Sequence, residues 1–209
     1  MVHAVTIERE FGCGASEIAT LVASRLGWSL WDERLTQEIA RLTESTPQAV
    51  EQREWRTDPL VYRLFKDFLR GAFEGGLPPA NRLALLDARR IADVSRIAVE
   101  TALSGGRSVI VGRGSQHFLH NRKDVFRVFL YAPRDYKIRK LISGGAPQDQ
   151  AIEQIDTTDQ ARAAFVRQYL GLKWPERHLY HAMFNTEMGH SCTAAMLVAC
   201  VQQFEHEAQ

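Results

Sequence analysis

The sequence has no long uninterrupted apolar run. No stretch approaches the ~20 consecutive apolar residues that a membrane-spanning helix needs, and the N-terminus does not combine the basic, apolar and small-residue regions of a secretory signal. We therefore expect no membrane association and a cytoplasmic location. The chain has 209 residues, of which 45% are hydrophobic. This length and composition suit one domain with a substantial core.

Cysteine is scarce, and neither sign of charge dominates. Cys13, Cys192 and Cys200 have neither an even count nor the spacing of metal ligands. This argues against a disulfide framework or a zinc site and suits a reducing cytoplasm. The 26 Lys and Arg residues and 25 Asp and Glu residues leave a net charge of +1. No overall field therefore favours nucleic acid or an anionic membrane as a partner, and the charges that matter are local.

A glycine-rich turn near the N-terminus separates a short apolar segment from an amphipathic one. Gly12 and Gly14 follow the β-branched residues 4–7, and apolar residues then recur at helical spacing until Gly27. The start of a helix presents unpaired backbone N–H groups, and glycines let an anion approach the backbone closely. The pattern therefore favours a phosphate-binding loop, although an ordinary strand-to-helix turn without a ligand is the alternative.

This turn lacks one residue of the P-loop pattern G-x-x-x-x-G-K-S/T. With Gly14 as the last glycine, Arg9 stands at the first glycine, Ala15 at the lysine and Ser16 at the hydroxyl position. In the full pattern the lysine reaches the β- and γ-phosphates. We therefore interpret the turn as a variant P-loop, in which an arginine such as Arg9 would have to compensate for Ala15.

The rest of the chain alternates between short apolar segments and helical patterns. Strands are predicted at residues 4–7, 28–31, 108–111, 125–131 and 181–185. Helical patterns follow the turn and cover residues 33–100, 134–143, 147–169 and 194–204. Short buried strands joined by helical crossovers predict a three-layer α/β domain with a parallel, five-stranded sheet.

Two further groups of positive charge follow predicted strands. Gly112-Arg113-Gly114 comes directly after the strand at 108–111, at the edge where open α/β sheets bind ligands. An arginine there can hold a phosphate through two parallel hydrogen bonds, unless it pairs with a surface carboxylate instead. The basic run 134–140, together with Arg162 and Arg167, could close over a triphosphate, although a charge run by itself is usually a solvated helix face.

Taken together, these motifs resemble the cytidylate kinase-like family, the divergent relatives of bacterial cytidylate kinase among the P-loop nucleoside monophosphate kinases. The similarity extends over most of the chain. It comprises the loop and helix at 7–27, Trp31-Asp32, the run Val-Ile-Val-Gly-Arg-Gly at 109–114, residues 129–133, and the aromatic-rich segment at 156–186.

The resemblance implies a single domain with the fold of a P-loop nucleoside monophosphate kinase. Its three-layer core would comprise residues 1–41, 103–145 and 171–209. A helical acceptor-binding insertion would occupy residues 42–102, and a lid would occupy residues 146–170. The implied chemistry is transfer of the ATP γ-phosphoryl group to CMP or dCMP with Mg²⁺, so the implied partner is a small nucleotide.

The resemblance also implies roles for individual residues. The backbone of Gly12, Cys13, Gly14, Ala15 and Ser16 would contact phosphates, and the Ser16 hydroxyl would bind Mg²⁺. Arg113 would hold the acceptor phosphate, and Asp32 would contact the acceptor nucleotide or order its loop. The lid charges would come from Lys137, Arg162 and Arg167. Catalysis would then fall to Arg9, Arg113 and these three lid cations.

Two other functions are compatible with the same residues. Without the lysine, the protein could be a non-catalytic nucleotide-binding or regulatory protein that keeps the fold. Alternatively, it could be a kinase whose helical insertion accepts a different small molecule. Fold by itself does not choose among these functions.

Overall fold

The computed structural model describes residues 1–32, 34, 35, 38 and 88–207. The predicted acceptor-binding region at 42–102 therefore lies outside the described residues as far as residue 87. The remaining residues of this region, 88–102, are helical.

The described residues contain five strands: β1 (Ala4–Arg9), β2 (Ser29–Trp31), β3 (Ser108–Val111), β4 (Val125–Tyr131) and β5 (Ala182–Asn185). These strands form one fully parallel sheet in the order β2-β3-β1-β4-β5. The short strands β2 and β5 lie at the two edges of this order, and the buried β1 lies at the centre.

The described helices connect these strands on both faces of the sheet. They are α1 (Ala15–Leu26), α2 (Ala88–Ser104), α3 (Ser115–Phe118), α4 (Arg134–Ser143), α5 (Gln148–Leu170) and α6 (His190–Glu207). Short 3₁₀ turns lie at Arg177–Leu179 and Thr186–Met188. None of the helices in the described ranges is both long and apolar enough to cross a membrane.

Two apolar clusters make the fold three-layered. On one face, α1 packs against α6, and residues such as Ile18 and Leu197 meet Val5 and Val109 of the sheet. On the other face, α2 and the end of α3 meet the opposite side chains of the strands, among them Ile110. Successive residues of a strand point to opposite faces of the sheet, and here both sets of side chains are apolar. The sheet is therefore covered on both faces, as is usual for a parallel sheet.

Most predicted boundaries agree with the structure to within one residue, and the exceptions are informative. Strands β3 and β4 and helix α4 have the predicted bounds. Strand β1 was predicted to end at residue 7 and instead runs to Arg9, because Glu8 and Arg9 pair with Phe129 and Leu130 of β4. Helix α6 begins at His190, four residues before the predicted start.

Glycines limit helix α1 at both ends. Gly14 precedes the helix with φ 78°, and Gly27 follows it with φ 68°. The N–H of Gly27 donates to the carbonyl of Ser24. Glycine adopts this left-handed conformation without the steric cost that a β-carbon imposes. The predicted end of the helix at Gly27 is confirmed.

The predicted lid region at 146–170 consists largely of helix α5. Ala151, Ile155 and Val166 of this helix are at most 5% exposed. The helix therefore packs against the rest of the domain, next to α4.

Candidate functional site

The carboxyl ends of the parallel strands lie at one edge of the sheet. Arg9 ends β1, Asp32 follows β2, and Arg113 follows β3. Residues at the carboxyl ends of neighbouring parallel strands come close together. The structure thus brings three of the predicted site residues to one edge, next to the glycine-rich turn.

The glycine-rich turn is held from two sides. Gly12 and Gly14 have φ angles of 77° and 78°. The carbonyl of Cys13 accepts a 2.7 Å hydrogen bond from the Thr186 hydroxyl, and its thiol lies 3.7 Å from the carbonyl of Leu130. Cys13 is completely buried. The thiol thus serves to fix the turn against β4, and the backbone keeps its left-handed shape before α1.

Helix α1 begins with Ala15, which replaces the lysine of the P-loop pattern, and Ser16, which keeps its hydroxyl. Ala15 is 3% exposed and packs into the apolar cluster beneath α1. Ser16 turns the other way, and its Oγ donates to Oδ2 of Asp32 at 2.9 Å. The Ser16 hydroxyl and the Asp32 carboxylate therefore lie together beside the start of the helix.

Arg9 crosses from the end of β1 to the end of β3. Its side chain is buried, and a β-carbon built on Gly112 would lie only 2.0 Å from its Nη1. Within the described part of the chain, Nη2 of Arg9 has no hydrogen-bond partner. The glycine at 112 therefore makes room for a buried guanidinium group that keeps donor capacity.

Arg113 has an uncommon backbone conformation. Its φ is 60°, in the left-handed region, and the residue is 3% exposed. Burial and the neighbouring charge of Arg9 lower the pKa of Arg113 to about 9, against the opposing effects of Asp32 and Glu8. Non-glycine residues in this conformation store strain and are concentrated at functional sites.

Glu8 is a buried carboxylate that sequence reasoning missed. It accepts a 2.7 Å hydrogen bond from the side-chain amide of Gln116 and another, at 3.0 Å, from the backbone N–H of Arg9. Its Oε1 also lies 3.7 Å from Nη1 of Arg9. Glu8 thus offsets part of the positive charge at this edge. The signal available in the sequence was the Glu-Arg pair at the end of an apolar strand.

Arg162 joins helix α5 to the end of β1. Its Nη1 donates to the carbonyl of Arg9 and lies 3.2 Å from Oδ1 of Asp159. The guanidinium carbon lies 5.3 Å from the ring centre of Trp174. Burial, followed by the charge of Arg9, lowers the pKa of Arg162. The predicted lid cation Arg162 is therefore buried together with Arg9 and Arg113. We call these three residues the arginine cluster.

Lys137, the second predicted lid cation, is held by two carboxylates. Its Nζ lies 2.8 Å from Oε2 of Glu10 and 3.3 Å from Oδ2 of Asp159. Burial opposes the charged form, but the two carboxylates outweigh it and raise the pKa of Lys137. The lysine therefore remains charged, and its charge is largely neutralised by these partners.

Arg167, the third predicted lid cation, lies apart from the buried arginines. It is exposed on α5 and lines an open cavity of about 850 Å³. The other described lining residues are Gln160, Ala163, Ala164, Lys173 and Trp174. Arg167 and Lys173 thus make the mouth of this cavity positive.

Lys140 belongs to the predicted basic run 134–140, in which it had no individual role, and His190 is a residue that sequence reasoning missed; both lie beside Gly14. Nζ of Lys140 lies 3.0 Å from Oε1 of Glu17 and 3.0 Å from Nε2 of His190. Both side chains contact the position where Gly14 would carry a β-carbon. Lys140 lies one helical turn after Lys137, which was the available signal. Nothing in the sequence pattern pointed to His190.

Comparisons with known proteins agree with this architecture. The profile of the cytidylate kinase-like family matches residues 4–188, whereas a comparison with curated proteins found no match. Among solved structures, an uncharacterized protein from Eubacterium ventriosum has a TM-score of 0.68 at 17% identity, covering 97% of this chain and 99% of its own. Shikimate kinase from Acinetobacter baumannii, in complex with shikimate, has a TM-score of 0.53 at 14% identity, covering 97% and 94%. Shikimate kinase from Bacteroides thetaiotaomicron has a TM-score of 0.51 at 16% identity, covering 95% and 98%.

At these identities the structural likeness shows the fold alone, which is that of the P-loop kinases. The family profile adds the relationship, because it spans most of the 209 residues. The variant P-loop and the Gly-Arg-Gly turn lie within the matched residues. This chain belongs to the cytidylate kinase-like family.

Proposed function

We propose that this protein transfers the γ-phosphoryl group of ATP to a nucleoside monophosphate, with CMP or dCMP as the leading acceptor. The carrying observation is that the glycine-rich turn and the arginine cluster lie at one edge of the sheet. Phosphoryl transfer needs little covalent chemistry from the protein, and it depends on positioning and on stabilising negative charge. Both requirements match what this edge offers. A role in cytoplasmic nucleotide metabolism is part of the same proposal.

The residues beside helix α1 suit Mg²⁺ and a polyphosphate. The Ser16 hydroxyl and the Asp32 carboxylate lie 2.9 Å apart, and Mg²⁺ is usually bound by hard oxygen atoms from one or two side chains plus substrate phosphates. A denser metal site is not needed for this, and the described residues contain no cluster of three His, Cys, Asp or Glu side chains that could hold a metal ion. When bound, Mg²⁺ neutralises charge on the phosphates. Asp32 would therefore act on the metal through Ser16 as well as order its own loop.

The arginine cluster would hold the phosphates between which the phosphoryl group moves. Three buried guanidinium groups repel one another; burial first, and then the charges of Arg9 and Arg162, lower the pKa of Arg113. A phosphate dianion among them would relieve that repulsion, and burial strengthens each contact by excluding water. We assign the acceptor phosphate to Arg113 and charge stabilisation to Arg9 and Arg162. The backbone N–H groups of residues 12–16 would hold the donor phosphates.

Lys137 and Arg167 take secondary positions in this proposal. Lys137 is 8% exposed and its ammonium group is held by Glu10 and Asp159, so it is less accessible to a phosphate than an exposed cation. Arg167 is exposed on α5 and would attract anionic ligands toward the cavity. Neither side chain needs to touch the reacting atoms for the arginine cluster to work.

A coupled ADP-release assay tests the proposal. The acceptors are CMP, dCMP, UMP, AMP, GMP and shikimate, each with ATP and Mg²⁺. We expect the highest kcat/KM with CMP or dCMP and none with shikimate. Turnover with shikimate alone would identify a different small-molecule kinase. If calorimetry shows ATP binding but no acceptor supports turnover, the protein is a non-catalytic nucleotide-binding protein and the proposal is wrong.

A further inference from the structure

The P-loop of this chain lacks a cation at the position where the pattern has one. Ala15 ends in a methyl group within the apolar cluster beneath α1. Arg9 directs its guanidinium group toward Gly112, at the end of the neighbouring strand. A phosphate at the first turn of α1 therefore needs a cation from another part of the chain.

Lys140 of α4 places its ammonium group against the last glycine of the loop. A β-carbon built on Gly14 would lie 2.2 Å from Nζ of Lys140 and 2.3 Å from Nε2 of His190. Gly14 is the residue that precedes α1. The ammonium group thus lies beside the first turn of α1, and only glycine at position 14 leaves space for it.

The contacts of Lys140 hold the ammonium group and leave it accessible. Nζ donates to Oε1 of Glu17 and to Nε2 of His190, both at 3.0 Å. An ammonium group has three N–H donors and no acceptor, so these two partners occupy two donors. The Lys140 side chain is 23% exposed and that of Glu17 is 47% exposed. A ligand arriving from solvent can therefore reach both groups.

The other cations of α4 are less suited to this role. Lys137 faces two carboxylates with a side chain that is 8% exposed. Arg139 is 67% exposed, and its Nη2 lies 3.8 Å from Oε1 of Glu187. Among the described residues Lys140 has one carboxylate partner, Glu17, which is itself in the first turn of α1. Lys140 thus lies beside the loop, and its positive charge is less fully neutralised than that of Lys137.

We propose that Lys140 binds the polyphosphate of the nucleoside triphosphate at the start of α1, a contact that the methyl group of Ala15 cannot make. Glu17 holds the ammonium group in position before the phosphate binds, and the phosphate then replaces this carboxylate. The inference rests on the proposed function, because it requires that the loop receive ATP. It adds a phosphate-binding residue 125 positions from Ala15 in the sequence.

Calorimetric titration with ATP and Mg²⁺ of the wild type, Lys140→Gln and Glu17→Gln tests the inference. Both substitutions remove the same ion pair, so a purely structural role would change the Kd for ATP equally in both. We expect Lys140→Gln to raise the Kd about tenfold to a hundredfold, the usual effect of losing a charged hydrogen bond. Glu17→Gln should leave the Kd equal or lower it, because the carboxylate no longer competes with phosphate. Arg139→Gln removes the same charge from the same helix and serves as the matched control.

A second substitution displaces the ammonium group without deleting it. Gly14→Ala introduces a β-carbon at the position occupied by Lys140, whereas Gly27→Ala introduces one at a similar φ with no heavy atom within 4 Å. ATP binding that is as tight in Gly14→Ala as in Gly27→Ala would overturn the inference, because the ammonium group of Lys140 cannot keep its position beside an added β-carbon. This comparison remains informative if Lys140→Gln folds poorly.

The outcomes separate this inference from the proposed function. If the wild type binds ATP and Lys140→Gln binds it equally well, the inference is overturned and the proposed function stands. If the wild type does not bind ATP, both are overturned. If Lys140→Gln loses affinity as expected but no acceptor supports turnover, the phosphate contact is supported and phosphoryl transfer is not.

Discussion

Replacing Gly112 with alanine tests the contact between the Gly-Arg-Gly turn and Arg9. Gly112 has φ +67°, and an added β-carbon would lie 2.0 Å from Nη1 and 3.1 Å from Cζ of Arg9. Gly27 offers a matched control, since its φ is +68° and no heavy atom lies within 4 Å of an added β-carbon. The two substitutions therefore share the backbone cost and differ in the displaced side chain.

The expected magnitudes follow from these two geometries. A left-handed alanine costs about 1–2 kcal/mol, so Gly27→Ala should lower the free energy of unfolding by that amount. Gly112→Ala adds the displacement of a buried side chain, for which overpacking typically costs about 1–3 kcal/mol. The total is about 2–5 kcal/mol. Since Arg9 is 5% exposed, its guanidinium group cannot simply move into solvent.

The displacement should also affect ligand binding. Loss of one charged hydrogen bond to phosphate corresponds to about 1.5–3 kcal/mol, which is at least about tenfold in Kd or kcat/KM. Gly27→Ala, at the far end of α1, should leave both quantities unchanged.

Urea unfolding followed by circular dichroism measures the stability difference, and calorimetry with the ADP-release assay measures binding and turnover. Equal loss of stability in the two variants, with unchanged nucleotide binding by Gly112→Ala, would refute the reasoning. Such a result would mean that Arg9 can adopt another position at no cost, and the arginine cluster would not be a preformed site.

Three other predictions concern single side chains. Arg113→Lys keeps the positive charge but loses the planar guanidinium group, so the KM for the acceptor should rise at least about tenfold with little change in the KM for ATP. The ADP-release assay measures both values, and an equal rise for both substrates would contradict the assignment of Arg113 to the acceptor. Asp32→Asn should raise the Mg²⁺ concentration needed for half-maximal turnover, while an unchanged Mg²⁺ titration would separate Asp32 from the metal. Burial, with the charge of Arg127, lowers the pKa of His181 from 6.5 to about 4, so the unfolded chain takes up a proton that the native protein does not. Stability should therefore fall as the pH drops from 6.5 towards 4, by about 1 kcal/mol after allowance for the exposed ring. Urea unfolding of His181→Gln should show a smaller decrease, and an identical pH dependence would assign the loss to other groups.

Local pattern was sufficient for much of the fold. The strands at 108–111 and 125–131 were predicted residue for residue, because apolar runs of this length, rich in β-branched and aromatic residues and bounded by glycine or proline, are typical of buried strands. The helix at 134–143 follows from Pro133 at its start, and Gly27 ends α1 through its left-handed backbone. The parallel sheet then followed from the alternation of strands and helical connections.

Local pattern failed where pairing partners are distant. Strand β1 extends to Arg9 because β4 supplies backbone partners for Glu8 and Arg9. In the sequence, the charged residues Glu8 and Arg9 predict the end of a buried strand, since burying an unpaired charge is costly. Here the cost is offset by the contact between Glu8 and Arg9 and by Gln116. Gln116 lies 108 positions from Glu8, so local sequence pattern cannot show that it is a partner.

By itself, the sequence determined that Gly12 and Gly14 precede a helix, that Ala15 leaves the loop without its lysine, and that Arg113 lies at the same sheet edge. Only the tertiary structure decided which cations meet that loop. It directs Lys137 to Glu10 and Asp159, and it places Lys140 against Gly14. The reason is physical. Lys137 and Lys140 are one turn apart on the same helix, and nothing in the sequence distinguishes the surroundings of the two. Their partners depend on how the helix packs against strands and loops that are distant in the chain.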